Sequence, residues 1–137
     1  MATYLLDSNI LSDMMRNPAG AAMRVLESRS ADAENNFVTS VMVACELRYG
    51  AVKKGSSKLV QRLDEVLGSV DVVSLDRGIE QHYASIRSDL ERRGELIGQN
   101  DLLIAAHALA LDAVLVTDNI REFERVKGLR VENWLRG

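Results

Sequence analysis

The sequence predicts a three-layer α/β/α domain built on a mainly parallel sheet of four or five short strands, and all 137 residues are assigned to that single domain. Three observations carry this prediction. Two short apolar runs, Tyr4–Leu6 and Ala113–Val116, stop abruptly at Asp7-Ser8-Asn9 and Thr117-Asp118-Asn119, as strands buried on both faces do. Segments of helical periodicity alternate with these runs and with two further β-prone ones. Finally, Leu102–Leu111 is apolar on every side, which suits a helix enclosed by other elements.

Taken in order, Tyr4–Leu6 is the first strand, and Asp7 stands at its carboxyl end. Ser8 and Asn9 can cap a helix from about Ile10 to Arg16. Asn17-Pro18 interrupts it, and Pro18 fits the first turn of a second helix through Met23, Val25 and Leu26. Asp32 to Asn36 is a polar loop. Phe37-Val38 is a short strand, and Ser40 is a good N-cap for a helix from Val41 to about Val52. Met42, Val43, Cys45, Leu47 and Tyr49 cover nearly all its sides, so this helix is expected to be buried. Gly55-Ser56-Ser57 breaks it ahead of a helix from Lys58 to Leu67.

A third strand follows over Asp71–Leu75, and Asp76 caps a long amphipathic helix through Ile79, Tyr83, Ile86 and Leu90 that ends at Gly94. His82 lies on its flank, a position for an ordinary surface or core-edge histidine. Asn100 is the expected N-cap of the apolar helix Leu102–Leu111, whose His107 reads as a hydrogen-bonded core residue. Beyond Val116, a short helical segment over 119–126 packs Phe123, and Leu129–Val131 is an edge strand. Trp134 and Leu135 are expected to cover the core.

Composition narrows the function. A hydrophobic content of 47% and a charged content of 27% fit an ordinary globule. The single cysteine, Cys45, excludes an internal disulfide and a cysteine zinc site, and suggests a reducing, cytoplasmic setting. No basic leader precedes the first apolar run, and no stretch is long enough to span a bilayer. A net charge of −3 argues against nucleic-acid binding through bulk positive charge, yet local clustering is what matters. Two basic clusters exist, Lys53, Lys54, Lys58 and Arg62, and Arg121, Arg125, Lys127 and Arg130. Each is readable as a solvated helix face or as a phosphate-binding patch.

The acids are more informative. In open α/β sheets, ligands bind outside the carboxyl ends of the strands, where Asp7 and the Asp118-Asn119 pair both fall. Glu46 shares a helix face with Val43 and Leu47, where a carboxylate is costly unless it meets a cation, either a metal ion or a basic side chain from another element. Asp101 falls in the first turn of its helix, where the dipole alone can favour it, but that helix must open at the sheet edge. Asp7, Glu46, Asp101, Asp118 and Asn119 together offer hard oxygen donors suited to Mg²⁺ or Mn²⁺ and to phosphoryl chemistry. A phosphatase reading needs an acid where Asn9 stands, and a receiver domain needs paired acids after the first strand that are absent.

These motifs resemble those of the PIN-domain ribonucleases, and within them the VapC-type toxins of bacterial toxin–antitoxin pairs. The resemblance covers essentially the whole chain. It rests on Leu6-Asp7-Ser8-Asn9, on Glu46-Leu47 followed by Gly50, and on Ile86-Arg87 with Leu90 and Gly94. It rests also on Asp101 with Ile104-Ala105-Ala106-His107-Ala108, and on Val116-Thr117-Asp118-Asn119 with Arg121-Glu122-Phe123. The resemblance implies a PIN-like fold and a Mg²⁺-dependent endoribonuclease, with Mn²⁺ as a substitute, acting on structured RNA such as tRNA. It further implies inhibition by a cognate VapB-type antitoxin, homodimerisation, and contact with DNA only through that antitoxin.

Carried onto this chain, Asp7 and Asp101 are the principal metal ligands and Glu46 a further acid of the centre. Ser8, Asn9, Lys53, Lys54 and Arg121 are candidate RNA contacts. Two departures stand out. Ser8 replaces the usual Thr and keeps the hydroxyl. Asn119 falls where many relatives carry a fourth acid, with Asp118 one position earlier, so either is a candidate for the fourth ligand. The uncharged Asn119 also sustains an alternative, a catalytically weak module that cradles RNA or a protein partner.

Overall fold

In the computed structural model, which describes residues 2–136, five parallel strands run in the order β3-β2-β1-β4-β5. The strands are β1 (Thr3–Leu6), β2 (Asn36–Ser40), β3 (Asp71–Val73), β4 (Val114–Val116) and β5 (Val131–Glu132). Parallel neighbours cannot be joined by hairpins, so helices fill every crossover. These are α1 (Ser8–Arg16) and α2 (Ala21–Arg29), α3 (Val41–Lys54) and α4 (Ser57–Leu67), α5 (Ile79–Arg93) and α6 (Gln99–Ala110), and finally α7 (Ile120–Phe123). The chain winds outward from β1 through β2 to β3, then crosses back to β4 and on to β5. Its direction of winding therefore reverses between β1 and β4, and at such a switch point the loops leaving the two strands part to leave a crevice.

The aliphatic runs read from the sequence form the centre of the sheet. Leu5, Leu6, Leu115 and Val116 are fully buried. Leu5 pairs with Val38 on one side and Leu115 on the other. Beyond the last paired residues, the Asp7 N–H donates to the Val116 carbonyl at 2.9 Å, so the β1–β4 ladder runs up to the acid itself. Helix α6 buries Leu102 and the run Ile104–Ala108. His107 is 1% exposed, with Nδ1 2.9 Å from Ser40 Oγ. Burial holds its pKa below the ordinary histidine value and the ring stays neutral, as expected of a core histidine.

Against the central strands, Tyr4, Phe37 and Trp134 form an aromatic cluster, with the Arg29 guanidinium 5.0 Å from the Tyr4 centroid and 5.4 Å from that of Trp134. Glu132 accepts from both Arg29 and Trp134 Nε1, which ties the C-terminal segment to β1 and α2.

Several local expectations are corrected. The second helix begins at Ala21 behind Gly20, with Pro18 in the preceding turn rather than inside the helix. Asp76 caps the turn ahead of α5 through Gly78 N–H, not the helix itself. Helix α6 begins two residues earlier than expected, behind Gly98, so Asn100 lies inside its first turn and is not the cap. The largest correction concerns α3, which is not buried on all sides: Tyr49 is 66% and Val52 64% exposed. Only one flank faces the core, through Val43 and Ala51. The apolar residues on its other side make a surface, not a second buried face.

Candidate active site

Asp7 is placed by the end of β1 and is 4% exposed. The Ser8 N–H donates to its Oδ1 at 2.8 Å and the Thr117 hydroxyl to its Oδ2 at 2.9 Å. Burial pushes its pKa above the ordinary carboxylate value, and these two hydrogen bonds only partly oppose that. Thr117, which the sequence reading passed over, is the fixed point of a network. Its oxygen accepts from Asn9 Nδ2 at 3.2 Å and from the Asn119 N–H at 3.0 Å, while its hydrogen goes to Asp7. One donor and two acceptor sites are thus all used, so the hydroxyl cannot turn away from Asp7. Asn9 completes the link by accepting the Asp118 N–H at 2.9 Å. The loops after β1 and β4 are therefore joined across the switch point by side chains predicted to lie near the site.

Glu46 stands at the rim, on an exposed turn of α3. Its pKa is raised first by partial burial and then by the charge of Asp7. Asp101 enters from the first turn of α6, half buried, and its pKa is raised from 3.8 to about 7. Desolvation is the leading cause, followed by Glu122 through a hydrogen bond and charge, and then by Asp7 and Glu46. The structure thus brings Asp7, Glu46 and Asp101 into one electrostatic neighbourhood. Among the described residues, no Lys or Arg forms an ion pair with any of them. Of the two partners open to Glu46, a metal ion or a basic side chain from another element, the second is not seen among the described residues.

The remaining candidates separate. Asp118 turns its carboxylate to Asn133 Nδ2 at 2.9 Å and Arg136 Nε at 3.4 Å, away from the other acids. Asn119 remains at the crevice, but its Nδ2 donates to Glu122 Oε2 at 2.7 Å. Glu122 is the acid that reaches Asp101. Its pKa is lowered, chiefly by its interaction with Asp101 and secondarily by Asn119 and Arg125, while that of Asp101 is raised, so the two carboxyls act on each other. The signal was present in the sequence: Glu122 lies one helical turn beyond Asn119, and an amide at 119 positions the acid at 122. Lys53 and Lys54 are exposed at the end of α3, and Arg121 is exposed on α7.

The donor set is all hard oxygen, clustered without cationic partners, and it fits a divalent cation such as Mg²⁺ better than a soft metal. Among the described residues, no group of three or more acidic, histidine or cysteine side chains stands close enough to hold a metal ion as placed.

Comparison with known proteins agrees with this architecture. The PIN-domain family profile matches residues 4–129. The chain is 36% identical over 132 residues to Ribonuclease VapC2 of Rickettsia felis, covering 96% of this chain and 97% of that one. It is 34% identical over 138 residues to the tRNA(fMet)-specific endonuclease VapC of Shigella flexneri, covering 98% and 99%. Among solved structures, VapBC2 from Rickettsia felis bound to a DNA fragment from its promoter superimposes with a TM-score of 0.90 at 35% identity, covering 96% of this chain and 98% of that one. A doubly wound parallel sheet with acids gathered at its switch point, matched along nearly its full length, places this chain in the PIN-domain family, in its VapC group.

Proposed function

We propose that this single-domain protein is a divalent-metal-dependent endoribonuclease, the toxin half of a toxin–antitoxin pair, cutting structured RNA such as tRNA. The observation that carries this reading is the gathering of Asp7, Glu46 and Asp101 at one crevice without a basic partner, each with its pKa raised. Left alone, such acids repel one another, and a bound cation turns that repulsion into affinity. Bound Mg²⁺ supplies Lewis-acid activation of water and neutralises charge on the phosphate.

The chain's own residues do the rest. Asp7 and Asp101 would hold the ion, Glu46 would complete the acidic edge, and Thr117 keeps Asp7 in one orientation. Glu122, steered by Asn119, supplies the fourth carboxylate that Asn119 itself lacks. A fourth acid at that place favours the nuclease over a catalytically weak binding module. A relative named Ribonuclease VapC2 and a solved VapBC2 complex bound to promoter DNA support a VapB-type antitoxin as partner, and the resemblance implies that it inhibits a homodimeric toxin and carries the DNA contact.

The test is incubation of antitoxin-free protein with total RNA, with Mg²⁺ or with chelator, and mapping of the cut ends. Discrete cleavage that stops on chelation, and that Asp7→Asn and Asp101→Asn abolish, is expected. Folded variants that still cleave would show the acids to be structural.

A further inference from the structure

We propose that the apolar slot beside Glu46 receives an unpaired base of the RNA next to the cleaved phosphate, stacked on Tyr49, with Lys53 on the neighbouring phosphate. The inference rests on the nuclease reading and adds a substrate-binding element to it. Glu46, Tyr49 and Lys53 are spaced three and four residues apart on α3, so they share one helix face. The face begins at the acids and runs outward.

Tyr49 is 66% exposed and takes no part in the aromatic cluster of Tyr4, Phe37 and Trp134. The Lys53 Nζ lies over its ring, 5.9 Å from the centroid. Among the described residues, neither Lys53 nor Lys54 forms an ion pair, so both charges are available to phosphates.

The slot has a volume of about 420 Å³ and is walled by Met42, Cys45, Tyr49 and Leu75, with Glu46 and Asn100 among its lining residues. Its walls suit the flat faces of a base. Asn100 offers both a donor and an acceptor to a base edge, and it directly precedes Asp101. A strand whose phosphate sits at the acids would therefore have an apolar recess beside it, an aromatic face, and cations beyond. That sequence of features is how proteins hold splayed single-stranded RNA. A protein partner could also cover Tyr49 and Val52, but the paired lysines and the continuity with the acid edge favour an anionic polymer.

The experiment uses the full chain under chelation, with a short single-stranded RNA spanning a mapped cleavage site and carrying 2-aminopurine at successive positions. Quenching of the probe at one position next to the cut is expected. Tyr49→Ala weakens binding about 10- to 100-fold and removes that quenching. Tyr49→Phe, which keeps the ring, recovers most of both. Lys53→Gln flattens the dependence of log Kd on log salt by about 0.7. Unchanged affinity and quenching in Tyr49→Ala overturn the proposal. So does a Tyr49→Ala protein that loses self-association or antitoxin binding while RNA affinity stands, since the face would then belong to a protein. Wild-type protein that binds with quenching yet leaves RNA uncut with Mg²⁺ overturns the nuclease reading and upholds the base slot. Failure to bind any RNA overturns both.

Discussion

Asp101→Asn should stabilise the metal-free protein, and the gain should depend on pH in a defined way. The folded chain holds the Asp101 carboxyl at about 7 against an ordinary value of 3.8. Ionising it in the fold above pH 7 would cost on the order of 4 kcal/mol if none of the interaction were screened. The group is only half buried, so water screens most of this, and about 1–2 kcal/mol should survive. Below the unfolded value both states carry the proton and no cost arises. Between pH 4 and 7 the folded state binds the extra proton, so stability falls as pH rises, and the full penalty is present above pH 7.

Asparagine removes the charge while its Nδ2 can donate to the neighbouring Glu122. The variant should therefore melt about 3–8 °C above wild type at pH 7.5 in chelator, and within about 1 °C of it at pH 4. Added Mg²⁺ should raise the melting temperature of wild type only. A variant that melts at or below wild type at pH 7.5, or by the same margin at both pH values, would refute the claim that mutual repulsion strains this crevice.

Other consequences are open to simple measurement. Thr117→Val keeps the shape but leaves Asp7, Asn9 and Asn119 short of a partner, and should cost about 1–3 kcal/mol in urea unfolding together with a 10- to 100-fold loss of Mg²⁺ affinity. Glu122→Gln should lower cleavage by about tenfold or more, whereas Asp118→Asn, whose carboxylate faces Asn133 and Arg136, should stay within about threefold. The reverse order would give the fourth position to Asp118. Trp134→Ala should cost about 3–5 kcal/mol, because it empties a site that is 4% exposed and strips Tyr4, Phe37 and Arg29 of a common neighbour.

The parts of this fold legible in the sequence are those set by burial along one element. Leu5 and Leu115 announce strands because a parallel strand covered on both faces can carry nothing but apolar residues. Asp7 announces the site because it ends such a run. What stayed hidden depends on neighbours that no local window contains. The exposure of Tyr49 and Val52 is set by α3 standing at the side of the sheet, with only Val43 and Ala51 turned inward. The orientation of Asp118 is decided by Asn133 and Arg136, fifteen or more residues away. Glu122 stands in a motif visible in the sequence, yet its nearness to Asp101 depends on how two distant segments fold together, and Gly98 takes the cap position in place of Asn100 because the chain enters α6 two residues early.

The same geometry explains why the acids lie where they do rather than on a more forgiving surface. At the switch point, β1 and β4 are hydrogen-bonded neighbours up to Val116, yet their connections leave in opposite directions. The residues just beyond the ladder are thus held rigidly by buried strands while the space in front of them stays open. Asp7 gains a fixed position from this arrangement but loses hydration, and Thr117, anchored at the end of the neighbouring strand, restores only part of what water gave. A looser site would relieve the repulsion among Asp7, Glu46 and Asp101, and it would equally weaken their hold on a cation. Raised carboxyl pKa values and the absence of basic partners among the described residues are therefore two expressions of one arrangement, in which stability given up by the protein would become affinity for a cation.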